Sequence, residues 1–290
     1  MKVYGRRSVI EAIKSDLEIQ KAFIKKNAIN MEEIIFKLKK KNIPISFVPI
    51  EKLKKLTNNN HQGIVCLISK IKTYNLNDLD GFLQNKESCK LIFLDGITDT
   101  KNFGSIIRNA ECFGIDGIVV SKTGTAQIND ETIKSSSGAI FNLPIYKVDH
   151  LMDAVFLVKD LGFKILAADE KSEKQMSGLS LKNKTVIILG SEGKGISPPI
   201  LKKCDDTFKI ALIGKTESLN VSVASGIIMH EISKQNPKEN LWVQLIYEWF
   251  GFYYEFLHHG LQNEWLWYLI FVHPLYQPHN YRQPSMTLQP

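Results

Sequence analysis

Disulfide patterns, metal-ligand spacing and long apolar runs are all missing from this 290-residue chain. Its four cysteines, Cys66, Cys89, Cys112 and Cys204, are scattered and form no CxxC pair. They fit reduced thiols in a cytosol and argue against a disulfide scaffold or a zinc site. No uncharged apolar stretch reaches the ~18 residues of a membrane span, and the N-terminus carries no signal-peptide apolar region. The expected setting is the cytoplasm, without a membrane. Two nucleotide loops are also absent: the G-x-G-x-x-G of dinucleotide folds and the G-x-x-x-x-G-K-[ST] of a P-loop. The first absence speaks against an oxidoreductase with a nucleotide cofactor.

What is present reads as a folded chain. Hydrophobic residues make up 44% and charged residues 23%, enough for a full core and for two domains. Lys and Arg number 37 against 30 Asp and Glu, a net charge of +7. That surplus suits a polyanion such as RNA, or simply a basic surface.

Texture divides the chain. Residues 1–70 read as a small α/β unit: a helix beginning at Ser8–Ile13, strands at Ile19–Ile24, Ile43–Val48 and Ile64–Ile68, and helices at Asn30–Lys40 and Ile50–Leu56. Residues 71–89 form a polar connector and helix. Residues 90–236 alternate strand and helix. Strands are predicted at Lys90–Leu94, Gly117–Val120, Ile145–Tyr146, Lys164–Ala168, Thr185–Leu189 and Phe208–Ile210. Helices are predicted at Asn102–Phe113, Asp130–Ser136, His150–Leu161, Pro198–Lys203 and Val221–Lys234. Such alternation implies an α/β fold with a mostly parallel sheet and helices on both faces. Residues 237–290 are different: they hold all four Trp but only two basic residues, Lys238 and Arg282. No period organises them, and they read as an appended segment, such as a translated frameshift or junction. A partner-docking or membrane-surface tail is the alternative.

Three loop constellations carry chemistry. Asn102-Phe103-Gly104-Ser105-Ile106-Ile107-Arg108-Asn109 follows the first strand of the second unit. A helix start with Asn and Gly offers backbone N–H groups to an anion, and Arg108 can fork onto phosphate. The plain reading is an Asn cap and a surface arginine. Gly190-Ser191-Glu192-Gly193-Lys194-Gly195 follows an apolar strand with the spacing G-x-x-G-x-G. Glu192 would repel a polyphosphate, whereas a ligand with adenosine and a cationic or zwitterionic tail tolerates it. An ordinary tight turn is the plain reading. Ser218-Leu219-Asn220-Val221-Ser222 opens a helix whose small residues Ala224, Ser225 and Gly226 allow close packing. Ser218 or Asn220 are also possible caps there.

In order, spacing and flanking strands, the three together resemble the SpoU (TrmH-like) branch of the SPOUT RNA methyltransferases, over about residues 1–236. Asn102, Gly104 and Arg108 match the first motif of that family. Gly190, Glu192, Gly193 and Gly195 match the second, and Ser218, Leu219, Asn220 and Ser222 the third. Tyr4-Gly5-Arg6 and His61-Gln62-Gly63-Ile64 look like the N-terminal RNA-binding domain of members acting on 23S ribosomal RNA. Thr100 and Ala211 stand where the family often has proline.

The resemblance implies a parallel-sheet catalytic domain with a C-terminal trefoil knot, which stacks the loops at 190–196 and 210–219. It implies S-adenosyl-L-methionine as cofactor, bound bent along Gly190, Ile210 and Leu219. The implied reaction is methylation of a ribose 2′-hydroxyl, in a guanosine of 23S ribosomal RNA, and it needs no metal. Transfer RNA is the rival substrate, and a non-catalytic RNA-binding protein the rival class. Arg108 would act at the 2′-oxygen, either as a base or by gripping the adjacent phosphate. Asn102, Glu192, Ser218 and Asn220 would orient Arg108 and the ribose. A homodimer is implied, because the family's active site takes elements from two subunits.

Overall fold

The structure is a computed structural model, and it describes residues 1–235 apart from 180, 182 and 215–217. The appended segment expected at 237–290 lies outside the described residues.

The N-terminal part is a four-stranded sheet. Its elements run β1 (Lys2–Tyr4), α1 (Arg6–Lys14), β2 (Ile19–Lys25), α2 (Glu32–Lys40), β3 (Ile45–Val48), α3 (Ile50–Leu56) and β4 (Ile64–Ile68). The spatial order is β1-β4-β2-β3, with only β2 and β3 parallel. β1 has three residues, too short for a period to announce it. After α4 (Leu76–Leu83) the chain builds a second, six-stranded sheet. It continues through β5 (Cys89–Asp95), α5 (Thr100–Cys112), β6 (Gly117–Ser121), α6 (Asp130–Ser135), β7 (Ile145–Val148) and α7 (Leu151–Asp160). β8 (Lys164–Ala168), β9 (Lys184–Gly190), α8 (Pro198–Leu201), β10 (Asp206–Phe208) and α9 (Val221–Gln235) complete it.

The second sheet is parallel throughout, in the order β10-β8-β9-β5-β6-β7. Its central strand, Cys-Lys-Leu-Ile-Phe-Leu-Asp, is buried from Cys89 to Leu94, as a strand covered on both faces must be. Alternate residues serve opposite layers. Ile92 and Leu94 pack with Phe103, Ile107 and Ile133 from α5 and α6 and with Ile228 from α9. Leu91 and Phe93 pack with Leu79, Leu83 and Val155 from α4 and α7, and with Ile200 from α8. The buried residues of α5, Phe103, Ile106, Ile107 and Ala110, recur at helical spacing and define its inner stripe. The helix of the connector therefore belongs to the core of this second layer.

Strand order positions the site. From β5 the chain moves one way, to β6 and β7; from β9, the neighbour of β5, it moves the other way, to β10. The carboxyl ends of β5 and β9 are thus where the winding reverses, the crevice in which open α/β sheets bind ligands. β10 ends at Phe208, two residues short of the sequence expectation. It is an edge strand whose register on Leu166–Ala168 begins at the polar Asp206 and Thr207, and apolar periodicity does not mark such residues.

Candidate active site

Three loops meet at the reversal. The Asn102 side-chain amide donates to Glu192 Oε1 at 2.9 Å, and the Asn220 amide donates to the same oxygen at 2.7 Å. The Asn220 amide also donates to Asn102 Oδ1 at 3.2 Å. Members of all three constellations, 90 and 28 residues apart from Glu192, thus form one polar triangle. Shared donation to a single carboxylate oxygen is a charge-assisted arrangement, stronger than a neutral pair.

Local chemistry explains each corner. α5 begins at Thr100, two residues before the expected start, because Asp99 caps it and accepts the Asn102 backbone N–H at 2.7 Å. The anion site expected from free N–H groups at Asn102 is therefore already filled in part by a carboxylate. Thr100 occupies the first helical position, where proline is also at home; its hydroxyl donates to Glu131 at 3.0 Å, tying α5 to α6. Gly104 serves packing: a methyl group there would strike the Ser135 side chain and lie 2.8 Å from the Thr132 carbonyl.

The loop after β9 closes on itself. Ser191 and Gly195 exchange backbone hydrogen bonds of 3.1 and 2.9 Å. Gly193 and Gly195 hold φ values of 82° and 67°, open to glycine and strained for other residues. A methyl group on Gly190 would collide with the Gly195–Ile196 backbone. The Ser197 N–H then donates to Asp95 at 2.7 Å, pinning the loop's end to β5. Glu192 is held out of this hairpin, exposed.

At the third corner Asn220 does two jobs. Its Oδ1 accepts the Ser222 N–H at 2.9 Å and the Ser222 hydroxyl at 2.6 Å, capping α9, while its amide reaches Glu192. Asn220 is thus both the cap of α9 and a partner of Glu192. The small residues after it meet α5: Asn109 donates to the Ser222 carbonyl at 2.9 Å and to the Ser225 hydroxyl at 3.0 Å. A methyl group on Gly226 would approach the Asn109 amide to 3.3 Å. Asn109, Asp95 and Asp99 were not singled out in the sequence; adjacency to Arg108 was the one signal for Asn109.

The other expected site residues lie around or away from the triangle. Ser218 is exposed, and Leu219, 36% exposed, precedes Asn220. Ile210 is half-buried against the core beyond β10, after Lys209, which bridges to Gln175. Leu212 and Ile213 are exposed on the same stretch. Arg108 does not join the triangle. It is exposed, has no hydrogen bond or ion pair among the described residues, and lines a cleft of about 120 Å³ with Arg7, Glu11, Glu111, Ser136 and Ser137.

The N-terminal motifs meet at the border of the two sheets. The Arg6 N–H donates to Gln62 at 2.9 Å, joining the Tyr-Gly-Arg and His-Gln-Gly motifs. Gly5, at φ 84°, leaves room for the Lys134 ammonium of α6, which lies 5.8 Å from the Tyr4 ring centre. Burial holds the Lys134 ammonium pKa below its ordinary value. The Lys2 N–H donates to Asp130 at 2.8 Å, fixing β1 to α6. Among the described residues no helix is long and apolar enough to cross a membrane.

Residues 90–230 match the SpoU rRNA Methylase family, and residues 2–74 match the RNA 2′-O ribose methyltransferase substrate binding family. The chain is 32% identical over 239 residues to the TrmH family protein YacO of Bacillus subtilis, covering 81% of this chain and 96% of that one. It is 35% identical over 241 residues to a TrmH family protein of Staphylococcus aureus strain COL, covering 80% and 95%. In fold it is similar to the SpoU methyltransferase AviRb of Streptomyces viridochromogenes, solved with AdoMet, at TM-score 0.70 and 22% identity, covering 82% and 91%. An AdoMet-bound rRNA methyltransferase of Sinorhizobium meliloti gives TM-score 0.68 at 21% identity, covering 81% and 87%. With its site triangle at the sheet reversal and this similarity along both parts of the chain, the protein belongs to the SpoU (TrmH) family of RNA methyltransferases.

Proposed function

We propose that this protein transfers a methyl group from S-adenosyl-L-methionine to a ribose 2′-hydroxyl of RNA, in a guanosine of 23S ribosomal RNA. The observation that carries the reading is the convergence of the Asn102 and Asn220 amides on one Glu192 carboxylate oxygen at the sheet reversal. The residues present fit that cofactor. Exposed Leu212, Ile213 and Leu219 offer apolar surface for an adenine, and Glu192 suits a cationic centre while opposing a polyphosphate. The AdoMet-bound neighbours support the same choice.

Gly190, Ile210 and Leu219 form the cofactor cleft, in a knotted arrangement of the loops at 190–196 and 210–219. The bound cofactor supplies an activated sulfonium methyl, so the protein's share is orientation and management of the hydroxyl proton. Glu192 fixes the two amides, and Ser218 helps them orient the ribose. Arg108 grips the phosphate next to the target ribose with its planar fork and holds the 2′-oxygen in line. The protein works as a homodimer in the cytoplasm, Arg108 of one subunit serving the triangle of the other.

The substrate-binding match at residues 2–74 supports an RNA substrate, and the rRNA description of the family matched at 90–230 favours ribosomal RNA. Transfer RNA stands second, because the relatives' descriptions name both RNAs. A ribose-methylation map of total RNA from cells with and without the protein separates them. Loss of a 2′-O-methyl mark in 23S RNA is the expected result; loss in transfer RNA alone moves the target there.

A further inference from the structure

We infer that Arg7 and Arg108 form one clamp for an RNA phosphodiester, which makes Arg7 a positioning residue for the methyl acceptor. The inference rests on the reading of Arg108 as a phosphate grip. Arg7 lies on α1 beside the first sheet and Arg108 on α5 beside the second, yet both line the cleft of about 120 Å³. The cleft is open to solvent and has room for a phosphodiester group.

Both guanidiniums are exposed, and neither has a hydrogen bond or ion pair among the described residues. Two arginines facing one small polar space repel each other until an anion joins them, and the planar guanidinium fork matches phosphate oxygens. Two carboxylates share the cleft. Glu11 is paired with the Lys14 ammonium at 3.0 Å, which offsets part of its charge, and Glu111 also faces the two arginines.

Contacts join the elements that carry the arginines. The Lys2–Asp130 hydrogen bond fastens β1 to α6, and Gly138, at φ 89°, brings its backbone against Glu11 of α1. Arg7 also falls within the region matching the substrate-binding family and Arg108 within the methylase region. A phosphate in the cleft therefore registers the RNA held by the N-terminal part against the residue that faces the ribose.

The test uses the full chain and a fluorescein-labelled oligoribonucleotide of about 20 nucleotides, titrated between about 50 and 200 mM salt. Arg7→Ala is expected to weaken binding about 5- to 20-fold and to reduce the slope of log affinity against log salt by about 0.7. Arg7→Lys keeps the charge and is expected to keep the slope. In methyl transfer to unmodified RNA transcripts, Arg7→Ala is expected to raise the KM for RNA and, because the acceptor is less well registered, to lower kcat by a smaller factor than Arg108→Ala does. An Arg7→Ala enzyme with wild-type slope and KM overturns the clamp, and so does one that loses kcat at unchanged KM. Arg108→Ala separates the two readings: wild-type turnover there defeats the role given to Arg108, whereas the Arg7 salt slope is read by binding alone.

Discussion

Asn220 donates a 2.7 Å hydrogen bond to Glu192 while its own side-chain oxygen caps α9. One residue thus couples the start of the last described helix to the hairpin after β9. The order of the site is the order of that contact, and substitutions on either side of it should be separable.

Glu192→Ala leaves both amides without their shared acceptor. Glu192 is exposed, so stability should change by no more than about 0.5 kcal/mol. Methyl transfer should fall about 10- to 100-fold through lost alignment. Asn220→Ala should lose the same activity and about 1 kcal/mol as well, because the cap goes with it. Melting curves and kcat/KM on the two variants check the difference; equal melting temperatures would argue that Asn220 is not a cap.

Gly190→Ala drives a methyl group into the Gly195–Ile196 backbone, which the Ser191–Gly195 hydrogen bonds hold in place. The expected cost is about 3 kcal/mol, within the range of overpacking. Cofactor binding should be lost by calorimetry even where the variant stays folded. Normal binding in a folded Gly190→Ala protein would show that the hairpin opens freely.

Asn109→Ala removes two hydrogen bonds between α5 and α9, to the Ser222 carbonyl and the Ser225 hydroxyl. Denaturant unfolding should show a loss of about 1–2 kcal/mol. Part of it should return in Asn109→Asp only if the Ser225 hydroxyl turns to donate. A loss below about 0.3 kcal/mol would mean that small-residue packing alone holds the two helices.

Most of the fold was legible because the parallel strands are continuous apolar runs. Lys164–Ala168 of the parallel sheet is legible to the residue, and so is Ile64–Ile68, an antiparallel strand whose apolar run is almost wholly buried. β10 slipped by two residues because an edge strand can begin on Asp206 and Thr207. Membership of the candidate site is legible in part: Asn102 in the first turn of α5, Glu192 in the loop after β9 and Asn220 at the start of α9 all meet. Gly104 read as a ligand-facing glycine, yet its neighbour is Ser135 on another helix, which no local spacing encodes. Asp99 was missed as a cap because the helix start was placed at Asn102, the residue it caps. The shared cleft of Arg7 and Arg108 was invisible for the same reason: it depends on how one sheet sits beside the other.

Arg108→Ala should abolish methyl transfer, by at least about a hundredfold, and leave S-adenosyl-L-methionine binding within about twofold. The side chain makes no hydrogen bond among the described residues whose loss would disturb the fold. Single-turnover transfer and calorimetry on the same preparation read both quantities. Turnover at the wild-type rate would remove Arg108 from the reaction.

The most direct measurement is transfer of a labelled methyl group from S-adenosyl-L-methionine to unmodified 23S RNA, by the full chain and by Glu192→Ala in parallel, with the RNA digested to nucleosides. The label should appear in 2′-O-methylguanosine with the native chain and be lost with the variant. Label on a base, or equal labelling by both proteins, would contradict a ribose methyltransferase built on the meeting of Asn102, Glu192 and Asn220.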